Sequence, residues 1–129
     1  KDIAMVIYCG IDRYWVELAP SHRVQRQLGC SNSACLDVTN ACHCFTNGIS
    51  VGDAMIATGA EENVAVVTGE VPSHVALGCI ADINKNPTQE NFQQKVGGLT
   101  TGDAGGAVIL QRASQHSGVK TYSFSSQGR

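Results

Sequence analysis

The sequence predicts one α/β domain in which helices pack on a mixed β-sheet, and two observations carry this prediction. Apolar runs at residues 3–9, 35–39 and 63–68 alternate with helical segments over short connections, as in parallel α/β sheets. The 129 residues are 43% hydrophobic and 16% charged, which supplies enough apolar surface for one core. A disordered chain is therefore not expected.

The first two strands are connected by a short helix. Residues 3–9 (IAMVIYC) form a continuous apolar run without alternation, which is typical of a strand buried on both faces. Ser21 is predicted to cap a helix that runs to Leu28, and Gly29 is predicted to end it. Residues 35–39 (CLDVT) then form the second strand.

The second helix is predicted over residues 48–57, with its start at the cysteine cluster of residues 42–44 and its end at Gly59. Residues 63–68 (NVAVVT) follow as a third buried strand. Right-handed crossovers are expected between these parallel strands.

The C-terminal third is predicted to contain more turns than regular elements. Residues 82–94 are polar and are interpreted as a surface excursion. Residues 97–106 form a glycine-rich turn that feeds a strand at residues 107–110. A last strand at residues 119–124 is predicted to pair with that one in the antiparallel direction.

Charge and hydropathy exclude two classes of partner. Nine Lys and Arg stand against eleven Asp and Glu, for a net charge of -2, so no basic patch is expected for nucleic acid. No apolar run approaches the ~18 residues that cross a bilayer, and the chain is expected in the cytoplasm. His22, His74 and His116 are expected at solvated positions.

The six cysteines are interpreted as reduced thiols, because the chain is too long and too rich in apolar strands for a small disulfide scaffold. Residues 42–44 (CHC) place three potential ligands together, but one residue between Cys42 and Cys44 is too tight for the usual zinc pair. No metal site is therefore expected.

Cys42 is the candidate nucleophile. It follows a strand and opens a helix, where free amide N–H groups and the helix dipole favour an anion. A small buried hydrophobe beside Phe45 and Ile49 is the alternative. His43 is not expected to act as its base, because neighbours along a helix point about 100° apart.

Four segments of the sequence fit the pattern of one known family. Residues 37–45 (DVTNACHCF) contain an Asp-x-x-x-Ala-Cys-x-x-Phe pattern, which resembles the nucleophile segment of the ketoacyl-acyl carrier protein synthase III group of the thiolase superfamily, where it places the active cysteine. Residues 24–29 (VQRQLG), 63–67 (NVAVV) and 102–107 (GDAGGA) fit its helix end, core strand and glycine turn in the same order. The resemblance implies that residues 1–129 are part of an N-terminal, thiolase-like half-domain.

The resemblance also implies a transferase of fatty acid biosynthesis. Cys42 would attack an acyl-CoA or acyl carrier protein thioester and pass the acyl group to a carbanion, without a cofactor. The implied structural turn near the site contains Gly102, Asp103, Gly105 and Gly106, with a turn of no chemical role as the alternative. A homodimer, or a complementing second half, is the expected assembly.

Some family features have no match in the sequence. The histidine and asparagine that family members take from a second half-domain are not matched, nor are the opening strand and helix. Ala104 and Gly105 stand in exchanged order, and Cys44 stands where the family often has glycine. Tyr14 and Trp15 occupy the stretch that shapes the acyl tunnel or dimer contact in the family, with an aromatic core contact as the alternative.

Three alternatives therefore stay open. One is a non-catalytic half-domain that acts as a scaffold or partner subunit. The others are pieces of related enzymes, because residues 39–42 (TNAC) also resemble hydroxymethylglutaryl-CoA synthases and the enzymes that join two fatty acyl chains head to head. The glycine turn favours the ketoacyl synthase group over the hydroxymethylglutaryl-CoA synthases.

Overall fold

A four-stranded mixed sheet organises the chain in this computed structural model, which describes residues 3–12, 17–114 and 117–128. The strands are β1 (Met5–Cys9), β2 (Ala34–Val38), β3 (Asn63–Glu70) and β4 (Ala104–Gln111). Their order is β2-β1-β3-β4, with β1 parallel to β2 and β3, and with β4 antiparallel to β3. The predicted mixed α/β sheet is confirmed. Tyr14, Trp15 and His116 lie outside the described residues.

Helices cover both faces of the sheet. They are α1 (Pro20–Leu28), α2 (Cys44–Ala57), α3 (Ser73–Lys85), α4 (Gln89–Lys95) and a 3₁₀ helix (Val96–Thr100). Because side chains alternate along a strand, Ile7 and Val66 point towards α2, whereas Val6 and Ala65 point to the opposite face, which α1 covers in part. The main core lies between the sheet and α2.

Two glycines one helical turn apart let α2 lie close to the sheet. A Cβ at Gly48 would overlap the Cys9 sulfur, and one at Gly52 would come within 2.9 Å of Leu110 Cδ1. Cys9 is fully buried beneath the helix, at 0% exposure. The close contact fixes the start of α2 over the end of β1.

The N-terminus of α1 differs from the prediction. Pro20 occupies its first turn, and Ala19 stands at the cap position without a side-chain bond. Proline is suited to the first helical position because its φ is fixed and it has no N–H to satisfy. Ser21 is buried inside the helix instead, and its amide N–H donates to Asp37 Oδ1 at 3.1 Å. The predicted end is confirmed, since Gly29 adopts φ +70°.

Residues 82–94 lie mostly at the surface, as predicted, but they are not an irregular excursion, because this stretch contains the end of α3 and most of α4. Polar side chains here satisfy the backbone. The Thr88 hydroxyl accepts from the Asn91 amide at 3.2 Å, and the Asn91 carboxamide donates to the Asp82 and Asn86 carbonyls. These caps allow a polar sequence to form consecutive helices.

Two further C-terminal predictions are corrected. The glycine-rich turn is shorter than expected: the 3₁₀ helix takes its first part, and β4 already begins at Ala104. No strand occurs at residues 119–124 among the described residues. The antiparallel partner of β4 is β3, with Glu70 opposite Ala104 and Asn63 opposite Gln111. The helices after β3 return the chain to the end of the sheet where β3 finishes. β4 starts there and therefore runs antiparallel to β3.

Candidate active site

The parallel strands direct three chain segments to one edge of the sheet. β1, β2 and β3 all end there, and β4 begins there because it is antiparallel. Cys42 lies in the connection from β2 to α2, and Glu70 is the last residue of β3. The carboxyl edge of parallel strands is where α/β proteins place their ligand sites.

A strained turn presents Cys42. The His43 amide donates to the Asn40 carbonyl at 3.0 Å, which closes a four-residue turn with Ala41 second and Cys42 third. Ala41 has φ +45°, the left-handed region that favours glycine, whereas Cys42 does not. Glycine, asparagine and aspartate are the usual residues where a turn needs a positive φ, because other side chains are strained there. Cys42 is exposed directly before the cap residue of α2, His43.

We expect Ala41→Gly to stabilise the protein. A left-handed φ destabilises alanine by about 1–2 kcal/mol, and glycine would remove this strain. Glycine also makes the unfolded chain more flexible, which offsets up to about 1 kcal/mol of the stabilisation. The free energy of unfolding, measured by urea titration, should rise by about 0.5–1 kcal/mol. Ala41→Val is the opposite control, because a β-branched side chain fits this region less well than alanine. A destabilised glycine variant would contradict the strained turn.

Cys42 lines a cavity of about 250 Å³ at this edge. Its wall is contributed by the ends of several elements: Ile11, Ala41, Cys42, Cys44, Phe45, Thr68, Glu70, Pro72, Thr100, Thr101, Gly102 and Ala104. Most of these side chains are apolar or small, and Glu70 is the one carboxylate among the described residues of the wall. The arrangement suits a nucleophile that meets a mainly apolar substrate group.

Glu70 is a site residue that sequence reasoning missed. Its Oε1 accepts from the backbone amides of Ile11 and Asp12, each at 2.6 Å, and so fastens the loop after β1 to the end of β3. Gly10 leaves room for this carboxylate, since a Cβ there would lie 3.0 Å from Oε1. The available signal was a carboxylate at the C-terminal end of a buried strand.

Two neighbouring thiols are poor nucleophiles. Burial raises the pKa of Cys9 to about 11, and the nearby Cys44 and Asp37 add to the shift. Burial also raises the pKa of Cys44, which is 6% exposed, and the Glu70 carboxylate contributes further. Both therefore hold their protons at neutral pH. Cys42 is the exposed thiol of this cluster, and all six cysteines are free.

The four residues of the predicted glycine turn have different positions in the structure. Gly102 lines the cavity with Cys42, whereas Asp103 Oδ1 accepts from the Ser73 amide at 2.9 Å and so caps α3. Gly105 and Gly106 lie within β4, opposite Gly69 and Thr68, and are not part of the cavity wall. Of the four turn residues that the resemblance implies near the site, Gly102 is the one that lines the cavity with Cys42.

The described histidines lie at the surface. His22 and His74 are exposed, as predicted. His43 is exposed too, and its carbonyl accepts from the Asn47 amide and the Thr46 hydroxyl. In the part of the chain that the structure describes, no three His, Cys, Asp or Glu side chains are grouped to hold a metal ion.

A larger cavity of about 630 Å³ lies on the opposite face of the sheet, beside α1. Val24 and Val67 contribute apolar wall, and Tyr8 donates from its hydroxyl to the Gly69 carbonyl at 2.7 Å. None of the described residues that line this cavity is a cysteine. The smaller cavity is therefore the better candidate for covalent chemistry, despite its size.

None of the described helices is both long and apolar enough to cross a bilayer.

Comparison with known proteins matches most of the chain. A family model for 3-oxoacyl-[acyl-carrier-protein (ACP)] synthase III matches residues 36–128. The acyl-CoA:acyl-CoA alkyltransferase of Xanthomonas campestris pv. campestris is 27% identical over 88% of this chain and 34% of its own length. The beta-ketoacyl-[acyl-carrier-protein] synthase III of Listeria welshimeri is 28% identical over 99% of this chain and 36% of its own.

Solved structures show the same fold. Cerulenin-bound OleA of Xanthomonas campestris superposes with a TM-score of 0.79 and 26% identity, over 87% of this chain and 33% of that one. The OleA H285A variant superposes with a TM-score of 0.77 and 26% identity, over 87% and 34%. The predicted thiolase-like fold is confirmed, and the chain spans about a third of the length of the relatives it matches.

Proposed function

Because the chain belongs to the 3-oxoacyl-[acyl-carrier-protein] synthase III family, we propose that Cys42 is the nucleophile that takes an acyl group from a thioester. One observation carries this proposal. Cys42 is the exposed thiol at the carboxyl edge of the parallel strands, on a tight turn before α2, and it borders a mainly apolar cavity. The proposed donor is acyl-CoA or acyl carrier protein.

The acyl transfer step is a thioester exchange. Cys42 loses its proton to solvent, and its Sγ attacks the carbonyl carbon of the donor thioester. The tetrahedral intermediate then collapses, the bond from that carbon to the carrier sulfur breaks, and the carrier thiolate takes up a proton. No electrons are gained or lost overall, so the step needs neither an oxidant nor a cofactor.

Local features support Cys42 at this position. The first amide N–H groups of α2 lie directly after it, and the positive end of the helix dipole favours negative charge there. Cys44 and Cys9 hold their protons, so they do not compete for the acyl group at neutral pH. Glu70 keeps the loop after β1 in place as one wall of the cavity.

We propose that the condensation step uses two groups that residues 1–129 do not match. In the family resemblance, a histidine and an asparagine of the second half-domain bind the carbonyl and stabilise the carbanion. We propose that this second half, together with residues 1–129, forms the complete condensing enzyme. A cytoplasmic homodimer is the proposed assembly, by analogy with the family.

Intact-protein mass spectrometry after incubation with acyl-CoA tests the proposal. The wild-type chain should gain the mass of one acyl group, and Cys42→Ser should lose this gain almost completely. Cys30→Ser is the matched control, because Cys30 follows α1 away from the cavity, and it should be acylated as fast as wild type. A folded wild-type chain that gains no mass would favour the non-catalytic scaffold.

A further inference from the structure

A hydrogen bond between two side-chain amides spans the turn that carries Cys42. Asn40 Nδ2 donates to Asn47 Oδ1 at 2.8 Å, although the two residues lie seven positions apart. Asn40 is the first residue of the turn, and Asn47 lies in the first turn of α2. The bond therefore joins the two ends of the segment that contains Cys42.

Asn47 is a firm anchor for this bond. Its backbone amide donates to the His43 carbonyl at 3.0 Å, and the Thr46 hydroxyl donates to the same carbonyl at 2.9 Å. The helix that carries Asn47 is held to the sheet by the close approach at Gly48, the next residue. The amide pair therefore connects the first residue of the turn to a helix that is packed closely on the sheet.

The turn needs such a restraint because Ala41 is strained. Its φ of +45° would relax to a negative value if the Asn40 end of the turn were free. The second bond within the turn, from the Cys44 amide to the Ala41 carbonyl, is long at 3.3 Å. A relaxed turn would rotate the next side chain, that of Cys42, away from the cavity.

We propose that the Asn40–Asn47 pair is a positioning device that holds the Cys42 thiol against the 250 Å³ cavity. The proposal shares with the proposed function only the premise that Cys42 reacts in that cavity. Neither amide touches the reacting atoms, so both are positioning residues. Because the bond is exposed, it contributes little to global stability, and the effect of losing it should be local.

Two thiol reagents measure the position of Cys42 without any acyl donor. Iodoacetamide alkylates an exposed thiol wherever it points, whereas N-hexyl iodoacetamide gains rate when its alkyl chain enters the apolar cavity. The rate constant for N-hexyl iodoacetamide divided by that for iodoacetamide, both measured at Cys42, reports how closely the thiol faces the cavity. We expect Asn40→Ala and Asn47→Ala each to lower this ratio about threefold to tenfold, the worth of one hydrogen bond.

Matched variants separate positioning from folding. Asn47→Asp keeps an acceptor oxygen for Asn40 Nδ2 and should preserve most of the ratio. The double alanine variant should lose no more than either single variant, because both remove the same bond. Urea titration should show nearly unchanged stability in all four proteins.

Two results would overturn the proposal: a wild-type ratio near one, or ratios in the alanine variants that equal the wild-type value. The outcome is independent of the proposed function. If wild type shows the expected ratio but gains no acyl group from acyl-CoA, the acyl transfer proposal fails and the positioning device stands. If wild type is acylated while the Asn40 and Asn47 variants keep the wild-type ratio, the positioning proposal fails and the acyl transfer proposal stands.

Discussion

Gly48→Ala is expected to lower the free energy of unfolding by about 2 kcal/mol, even though alanine is the better helix former. A methyl group at this position would overlap the Cys9 sulfur and lie 3.0 Å from Val66 Cγ1. Cys9 is fully buried, at 0% exposure, in the core cluster between the sheet and α2. The helix must therefore shift from the sheet, and urea titration measures the cost.

Two variants show whether this overlap is the cause. Gly78→Ala is the matched control, since Gly78 lies within α3 with nothing within 4 Å of a built Cβ. It should stabilise the protein by about 0.5–1 kcal/mol through helix propensity. Cys9→Ala removes the overlapping sulfur, so the double variant with Gly48→Ala should be more stable than the sum of the single effects. Additive effects would contradict the close packing.

Alkaline pH is expected to destabilise the protein by about 2–3 kcal/mol through Cys9 alone. Burial raises the pKa of Cys9 in the folded state from 9.0 to about 11. A thiol with a raised folded pKa contributes its full stability below pH 9, where both states are protonated. This stability is lost as the pH rises from 9 through about 11, because the unfolded state ionises first. Cys35, Cys44 and Tyr8 also have raised pKa values and act in the same direction.

Urea titrations between pH 7 and 11 measure this loss. The Cys9→Ala variant has no thiol to ionise, so its stability should fall less steeply above pH 9, although its value at pH 7 is lower than that of wild type. An equal slope in both proteins would show that Cys9 ionises as freely in the fold as in the unfolded chain.

The parallel part of the fold could be predicted from sequence because its signals are local. The three segments predicted as strands at residues 3–9, 35–39 and 63–68 became β1, β2 and β3, and Gly29 ended α1 with the expected left-handed φ. The position of β4 could not be predicted in the same way. Its pairing depends on where the chain returns to the sheet after α3 and α4. The helical part of this connection is difficult to predict because its sequence is polar, and side-chain bonds such as those of Thr88 and Asn91 stabilise it.

Two of the residues named from the sequence, Cys42 and Gly102, line the candidate cavity. Cys42 stands out because its motif falls between a strand and a helix, but its strained turn has no signal, since alanine rarely adopts a positive φ. Glu70 acts through backbone amides that lie 59 and 58 positions away in sequence. Contacts of that range appear only once the sheet has formed.

The location of the acyl group among the six cysteines tests the proposed chemistry most directly. After a short incubation with acyl-CoA at neutral pH, the chain is digested and its peptides are fragmented so that Cys42 and Cys44 are distinguished. We predict that the acyl group is on Cys42, and that Cys44 and Cys9 are unmodified because they stay protonated in the fold. An acyl group on Cys44, or one spread over several cysteines, would contradict Cys42 as the nucleophile.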